Sequence, residues 1–276
     1  MQPIPLILST VMLLASSVGY GQSSNPATAA DKNLPTNATP MKTGVKRHTY
    51  LIEIKADQVA ACKKLFAAVP AEVEASFKAI HIRNLTCYLK EFDGKHYLFA
   101  YCEYDGKDVA RDIHSLDANP AMQAWDNSLT ALQAGSSVGT GLTGDLEEVF
   151  FTEGAAAVVP TPEKYVRTGM ITGLKPEKEA EYRTLHATTW PGVLNGISDC
   201  NYRDFSIRLV ELDSHLFLIG YLEYVGKDPD ADAAAGKALS VNKRWWKFTD
   251  ACQLPLPAAT AKGELWDGMT EIYHLD

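Results

Sequence analysis

The chain reads as an α+β protein built twice, each copy an antiparallel sheet with its helices on one face. The first observation is an internal repeat: Tyr101-Cys102-Glu103-Tyr104-Asp105-Gly106-Lys107-Asp108 returns as Tyr221-Leu222-Glu223-Tyr224-Val225-Gly226-Lys227-Asp228, an offset of 120. The same offset pairs Lys55 with Lys175, Leu65 with Leu185 and Trp125 with Trp245, and Glu148-Val149-Phe150 meets Glu271-Ile272-Tyr273 at an offset of 123. One offset held across most of each half marks a duplication. The second observation is the order of periodicities, which in each half runs strand, helix, hairpin, helix, strand. A four-stranded sheet with both helices on one face leaves its other face uncovered. Two such ferredoxin-like units facing each other would close that surface into a barrel within one chain.

Taken in order, Ile4 to Gly19 is an apolar run followed by Tyr20-Gly21-Gln22, the pattern of a secretory signal peptide (1–21) cut after Gly21, although no Lys or Arg precedes Lys32. Export to periplasm or medium is the expectation. Residues 22–46 are Ser, Asn, Thr, Ala and Pro with few apolar anchors, a disordered linker. The first half, 47–153, opens with alternation over Thr49–Lys55 and continues with helical periodicity from Asp57 to Lys78 around Val69-Pro70. Leu85–Glu91 and His96–Tyr104 form a hairpin about Asp93-Gly94. A helix around Asn119–Leu132, a Gly/Ser-rich loop from Gly135 to Gly144 and a strand over Leu146–Thr152 complete it. Residues 154–164 are the second linker, and 165–276 repeat the order.

At 276 residues with 46% hydrophobic and 22% charged residues, the chain suits two globular units. A net charge of -8 with no basic cluster argues against nucleic acid or an anionic membrane as partner. The five cysteines include no C-x-x-C, and most read as buried small hydrophobes; a Cys87–Cys102 bridge across the first hairpin is the minor alternative. No two histidines lie three or four residues apart, so the usual helical metal pair is missing and neither metal nor cofactor is implied.

The stretch richest in chemistry is Lys178–Pro191, where Tyr182, His186 and Trp190 recur every four residues and would line one helical face. Alone, such a stripe describes an amphipathic helix packed on a sheet. The second half adds Arg244-Trp245-Trp246-Lys247. Two adjacent tryptophans cannot both face inward, so one borders either a sugar-binding cleft, where indole stacks on a pyranose, or a packing interface. Glu103, Glu148, Glu223 and Glu271 recur between halves, which favours structural roles, and Lys227-Asp228 marks a turn. His274 on the last strand faces either into or away from the cleft.

Tyr182-x-x-x-His186-x-x-x-Trp190-Pro191, Phe205-Ser206-Ile207 with its hairpin to Leu222-Glu223-Tyr224, Arg244-Trp245-Trp246-Lys247 and Met269–Leu275 together resemble the L-rhamnose mutarotase family over about Tyr165–Asp276. The resemblance implies a dimeric α+β barrel and interconversion of the α and β anomers of L-rhamnose without metal or cofactor. It implies His186 as proton donor, Tyr182 as a substrate contact one turn earlier, and Trp245 and Trp246 as the sugar-binding pair. Phe205 stands where the family has a further substrate-binding tyrosine. The chemistry suits histidine, which gives and takes protons near neutral pH. In the first half the matching positions are Cys62, Phe66, Pro70, Leu85 and Asp126, with only Trp125 kept. The expectation is one active cleft in the second half, a silent first half, a monosaccharide partner and a monomer whose barrel is complete within the chain. The competing readings are a non-catalytic sugar-binding or structural protein and, less favoured, a haem-binding or monooxygenase-like barrel with His186 as axial ligand.

Overall fold

A computed structural model describes residues 44–134, 146–154 and 165–276. The signal peptide, the first linker up to residue 43, the Gly135–Gly144 loop and residues 155–164 of the second linker lie outside the described residues.

The first repeat runs β1 (Lys46–Ile54), a 3-10 turn (Ala56–Gln58), α1 (Val59–Phe66), α2 (Ala71–Ala79), β2 (Ile82–Phe92), β3 (Lys95–Tyr104), α3 (Val109–His114), α4 (Pro120–Leu132) and β4 (Glu147–Thr152). The second repeats it as β5 (Val166–Leu174), a 3-10 turn (Pro176–Lys178), α5 (Glu179–Ala187), α6 (Pro191–Asp199), β6 (Tyr202–Leu212), β7 (His215–Tyr224), α7 (Pro229–Ala238) and α8 (Ser240–Cys252). It then adds β8 (Gln253–Leu254), α9 (Pro257–Thr260) and β9 (Asp267–Gly268) before the closing strand β10 (Thr270–Leu275).

Local chemistry explains most of these boundaries. The helical stretch from Asp57 divides because Pro70 has no N–H to continue a helix; it is the N-cap of α2, and Pro191 likewise opens α6. Both hairpins turn through two residues at positive φ, Asp93 (52°) and Gly94 (70°), then Asp213 (48°) and Ser214 (65°), the type I′ geometry that matches strand twist. The conserved spacing around Lys107-Asp108 and Lys227-Asp228 is a helix start as well as a turn. Asp108 accepts a hydrogen bond from Arg111 N and Asp228 from Ala231 N, capping α3 and α7. The Ala- and Asp-rich run from Asp228 to Leu239 is therefore helical, held by its cap and by Pro229 at the first position. Asp228→Ala is expected to cost about 1 kcal/mol; an unchanged urea midpoint would show that the cap contributes nothing. The paired lysines have one job as well: Lys55 Nζ donates to Ala131 O at 2.9 Å and Lys175 Nζ to Ala251 O at 2.8 Å, each placing a cation at a helix C-terminus.

Sequence repeats and compact units do not coincide, because the closing strands are exchanged. One unit comprises Gly44–Leu146 with Thr270–Asp276, the other Glu147–Met269. In the first unit the sheet order is β1-β3-β2-β10, all antiparallel. In the second it is β4-β6-β7-β5-β8, with β9 also pairing β5. The registers are equivalent: Phe150 faces Ile207 and Tyr273 faces Cys87, the same pairing moved by the repeat offset. Each sheet thus takes its outer strand from the other repeat. In the second unit the exchange is fastened by ion pairs, Arg183 to both oxygens of Glu147 (2.5 and 2.9 Å) and Arg208 to Glu148 (2.6 Å).

All five cysteines are buried thiols, so no Cys87–Cys102 bridge forms. The recurring glutamates are placed as structural groups: Tyr101 donates to Glu103 at 3.3 Å and Tyr221 to Glu223 at 2.8 Å, while Glu271 is exposed on β10.

Candidate functional site

In the second unit a cavity of about 780 Å³ lies between the sheet and the helices α5, α6 and α8. Its floor comes from alternate residues of the strands, Thr168 and Met170 on β5, Phe205 and Ile207 on β6, and Phe150 on β4. One wall is α8, whose Asn242, Trp245, Trp246, Thr249 and Asp250 follow the spacing of a single helical face, with Gln253 just past its end. The opposite wall carries Tyr182, His186 and Thr189 from α5 and the turn after it.

The five residues singled out in the sequence, His186, Tyr182, Trp245, Trp246 and Phe205, all line this cavity. Trp190 does not belong to their face. The α5 helix ends at Ala187, and Trp190 becomes the N-cap of α6, packing edge-on against Trp245 (5.3 Å) and Phe248 (5.9 Å) with the Arg244 guanidinium over its ring (5.7 Å). It braces the outer side of Trp245. The tryptophan pair divides as neighbours on a helix must: Trp245 is 5% exposed and Trp246 is 37% exposed.

His186 stands at the centre. Its ring packs on Tyr182 at 4.1 Å and meets Phe150 (5.5 Å) and Trp245 (5.6 Å) edge to face. Nδ1 lies 3.0 Å from the carbonyl oxygen of Tyr182. A carbonyl only accepts, so Nδ1 carries the proton and the lone pair of the neutral ring is on Nε2. Burial holds the imidazole pKa down to about 4, partly offset by that carbonyl. At neutral pH His186 is a base with one oriented lone pair.

Tyr182 is 1% exposed, and burial pushes its phenol well above the usual tyrosine range. Gln253 is the polar group beside it and works in the opposite direction; at the distances present, Tyr182 Oη and Gln253 Oε1 each lack a hydrogen bond of normal geometry. These two buried polar atoms are left with hydrogen-bonding capacity at the cavity wall. Asp250, a helical turn beyond Trp246, has its carboxyl pKa raised by burial. Among the described residues no group of three or more His, Cys, Asp or Glu stands close enough to hold a metal ion.

The corresponding region of the first unit is filled. Phe66 occupies the place of His186 and packs edge-on against Trp125 at 5.4 Å, as His186 does against Trp245. Tyr273 of β10 sits on Phe66 at 5.8 Å, and only about 50 Å³ remains. His274 accompanies Tyr273 on β10 in this unit, bonded to Thr86 (3.0 Å) and Asp276 (2.7 Å).

Several cavity residues escaped the sequence reading. Asp250 follows Trp246 at i+4, so extending the helical face would have found it, whereas Gln253 comes after the helix has ended. Phe150 and Trp266 had no local signal: the first arrives by strand exchange, and the second on the segment between α9 and β9 that the sequence left unread. Trp266 lies over the sheet where Gly220 leaves room, its ring within 3.5 Å of where a Cβ would stand.

Fold and site together define a duplicated ferredoxin-like α+β protein with one aromatic-walled pocket around a neutral histidine. The family model described as L-rhamnose mutarotase matches the chain twice, over residues 47–152 and 167–275, and the chain belongs to that family as a tandem duplication. An L-rhamnose mutarotase of Oceanobacillus iheyensis is similar, 26% identical over 110 residues that span 40% of this chain and 98% of that protein. Among solved structures, candidate monooxygenases from Fusobacterium nucleatum and Lactobacillus acidophilus are similar at TM-score 0.45 each. They share 11% and 10% identity, over 86% and 83% of this chain and 94% and 95% of theirs.

Proposed function

We infer that the cavity of the second unit interconverts the anomers of L-rhamnose or a related deoxysugar, with the first unit catalytically silent. The observation that carries this reading is His186: a cavity-lining imidazole that is neutral at neutral pH, with Nδ1 tied to the Tyr182 carbonyl and its lone pair therefore on Nε2.

Mutarotation opens a hemiacetal and closes it on the other face. Nε2 accepts the proton of the anomeric hydroxyl as the C1–O5 bond breaks, C1 becomes an aldehyde carbon, and O5 takes a proton from the wall opposite. The carboxyl of Asp250, on the facing helix α8 and raised in pKa by burial, is the group suited to that transfer, and the Tyr182 hydroxyl beside His186 is a contact for the sugar. Rotation about C1–C2 turns the carbonyl over. On closure the imidazolium returns its proton to the carbonyl oxygen and O5 gives up its own, so no proton is gained or lost. Trp245 and Trp246 supply the flat apolar surface for the C–H face of the sugar. Phe205 offers contact without a hydroxyl, which shifts hydrogen bonding onto Tyr182, Gln253 and Asp250.

The test is saturation transfer between the anomeric protons of L-rhamnose, at a pH where spontaneous exchange is slow. Acceleration by catalytic amounts of protein supports the reading, and exchange no faster than in buffer, for L-rhamnose and for other deoxysugars, overturns it. Trp246→Ala, at the half-open rim, is expected to raise KM about tenfold with little change in melting temperature, as loss of one stacking surface would. An unaltered KM would place Trp246 outside the sugar site.

An N-terminal signal peptide and export also belong to this proposal. N-terminal sequencing of protein secreted by the native host would find Gln22 first if cleavage follows Gly21, and an intact Met1 would refute it.

A further inference from the structure

The walls of the cavity divide by polarity. Tyr182, His186, Thr189, Asn242, Thr249 and Asp250, on α5, on the turn after it and on α8, bring hydrogen-bonding groups from the helix side. Phe150, Met170, Phe205, Ile207 and Leu222 bring apolar surface from the strands, with Thr168 and Tyr202 as the polar exceptions. Trp266 joins the apolar set from the segment between α9 and β9. A hydroxyl turned toward that surface would lose its water and gain no partner, whereas a methyl group is favoured there.

Trp266 rides on a strap fixed at both ends to β5. On one side Leu254 pairs with Gly173 and Gln253 with Leu174; on the other Asp267 pairs with Ile171, Gly268 pairs with Met170, and Met269 N donates to Gly169 O at 2.8 Å. The half-buried indole packs against the apolar core of the second unit. The corresponding stretch of the first repeat, residues 133–146, contains no aromatic residue.

Two sheet positions differ in step with it. Met170 and Gly220 are partners across β5 and β7, and at the offset of 120 they correspond to Tyr50 and Ala100, which both pack in the apolar core of the first unit. The larger pair covers the sheet there without a tryptophan, and the smaller pair leaves room for one. A Cβ at Gly220 would stand 2.9 Å from Met170 Cγ and 3.5 Å from Trp266 Cζ3, so the glycine lets thioether and indole lie close to the sheet together. Trp266 is thus held in place and still lines the cavity.

A 6-deoxyhexose such as L-rhamnose is divided in the same way, with hydroxyls on C1 to C4 and a methyl group on C5. With the anomeric hydroxyl at His186 and the other hydroxyls toward the helices, the methyl group is the part left for the strands. We propose that Trp266, together with Met170, is the specificity-determining element of this cavity, an apolar seat for that methyl group, and that the substrate class is 6-deoxyhexoses rather than hexoses bearing a 6-hydroxyl. This rests on the mutarotase reading of the same cavity and adds to it the group that selects the sugar.

L-Mannose is L-rhamnose with a hydroxyl added to the methyl group, so comparing the two isolates the seat. Anomeric saturation transfer and tryptophan-fluorescence titration are expected to favour L-rhamnose about 10–10²-fold in kcat/KM and in affinity, the range in which an apolar pocket rejects an added hydroxyl. Trp266→Ala should weaken L-rhamnose more than L-mannose and bring the ratio toward one. Gly220→Ala, which restores the residue of the first repeat and displaces the Met170 side chain, should do the same. A tryptophan with a purely structural part would slow both sugars by one factor and keep the ratio; that result overturns the proposal, as does equal treatment of the two sugars by the wild type. Should Trp266→Ala fail to fold, Trp266→Phe reads the same ratio with a smaller ring in place. Rapid exchange of both sugars at equal rates would spare the mutarotase reading and refute the seat. Tighter binding of L-rhamnose that Trp266→Ala abolishes, without exchange of either sugar, would do the reverse.

Discussion

His186→Ala is expected to lower L-rhamnose anomer exchange by roughly 10²–10⁴-fold, the usual contribution of a positioned general acid–base group. His186→Phe is the sharper variant, because the first unit already holds phenylalanine at that position, edge-on to Trp125 at 5.4 Å. It should preserve the melting temperature to within a few degrees while exchange falls by the same factor. Retention of exchange in both variants would remove His186 from the chemistry. The pH dependence follows from the direction of the shift. Burial takes the imidazole from 6.5 to about 4, so Nε2 remains a base through neutral pH and the exchange rate drops only as pH approaches about 4. For stability, the unfolded chain takes up its proton near 6.5, before the folded ring does. The contribution of neutral His186 to stability is therefore full above that value and lost as pH falls toward about 4, and His186→Phe should flatten that part of the acid dependence.

Residues 165–276 expressed alone are expected to elute as a dimer. The fragment contains the proposed proton-transfer and sugar-binding residues but not β4, the strand that pairs with β6 and supplies Phe150 beside His186. It does contain β10, whose register on β2 is equivalent to that of β4 on β6. An unpaired β6 edge is an invitation to strand addition, and a second copy can satisfy it by supplying its own β10 with Tyr273 in the place of Phe150. The loss of the Glu147 and Glu148 partners of Arg183 and Arg208 should leave the fragment dimer less stable than the full chain. Sedimentation at monomer mass with full activity would show that the exchanged strand is dispensable. The first repeat would then have no structural part in the site.

The chain's local patterns carried the strands, the hairpins and one helical run on each side of the hairpin, but not the division of those runs into four helices per repeat or the β8–α9–β9 segment. Alternation marked β1 and the two hairpins, while the break of the helical run at Pro70 and the Asn119 cap of α4, which accepts from Ala121 N and Met122 N, came from the structure. The Asp228–Leu239 helix was harder to see because Ala, Asp and Gly give little amphipathic pattern, and its cap at Asp228 resembled a turn. Trp190 was misplaced for a related reason. A spacing of four residues implies one face only while the helix lasts, and Pro191 had already ended it.

For the site, the residues of α5 and α8 were legible because helical spacing is a short-range property: Tyr182 with His186, and Trp245 beside Trp246. The duplication was legible too, since an offset of 120 is arithmetic on the sequence. What depended on the folded chain was every relation across a long separation. Strand exchange brought Phe150 to His186, the β8–α9–β9 segment carried Trp266 onto the floor, and burial settled the protonation of His186. The hydrogen bond that its Nδ1 donates to the Tyr182 carbonyl chose its tautomer. The close packing at Gly236 is likewise a property of packed volume: small residues in a sequence do not show whether neighbours will close over the space, and here a Cβ at Gly236 would meet Cys200 Sγ at 3.1 Å.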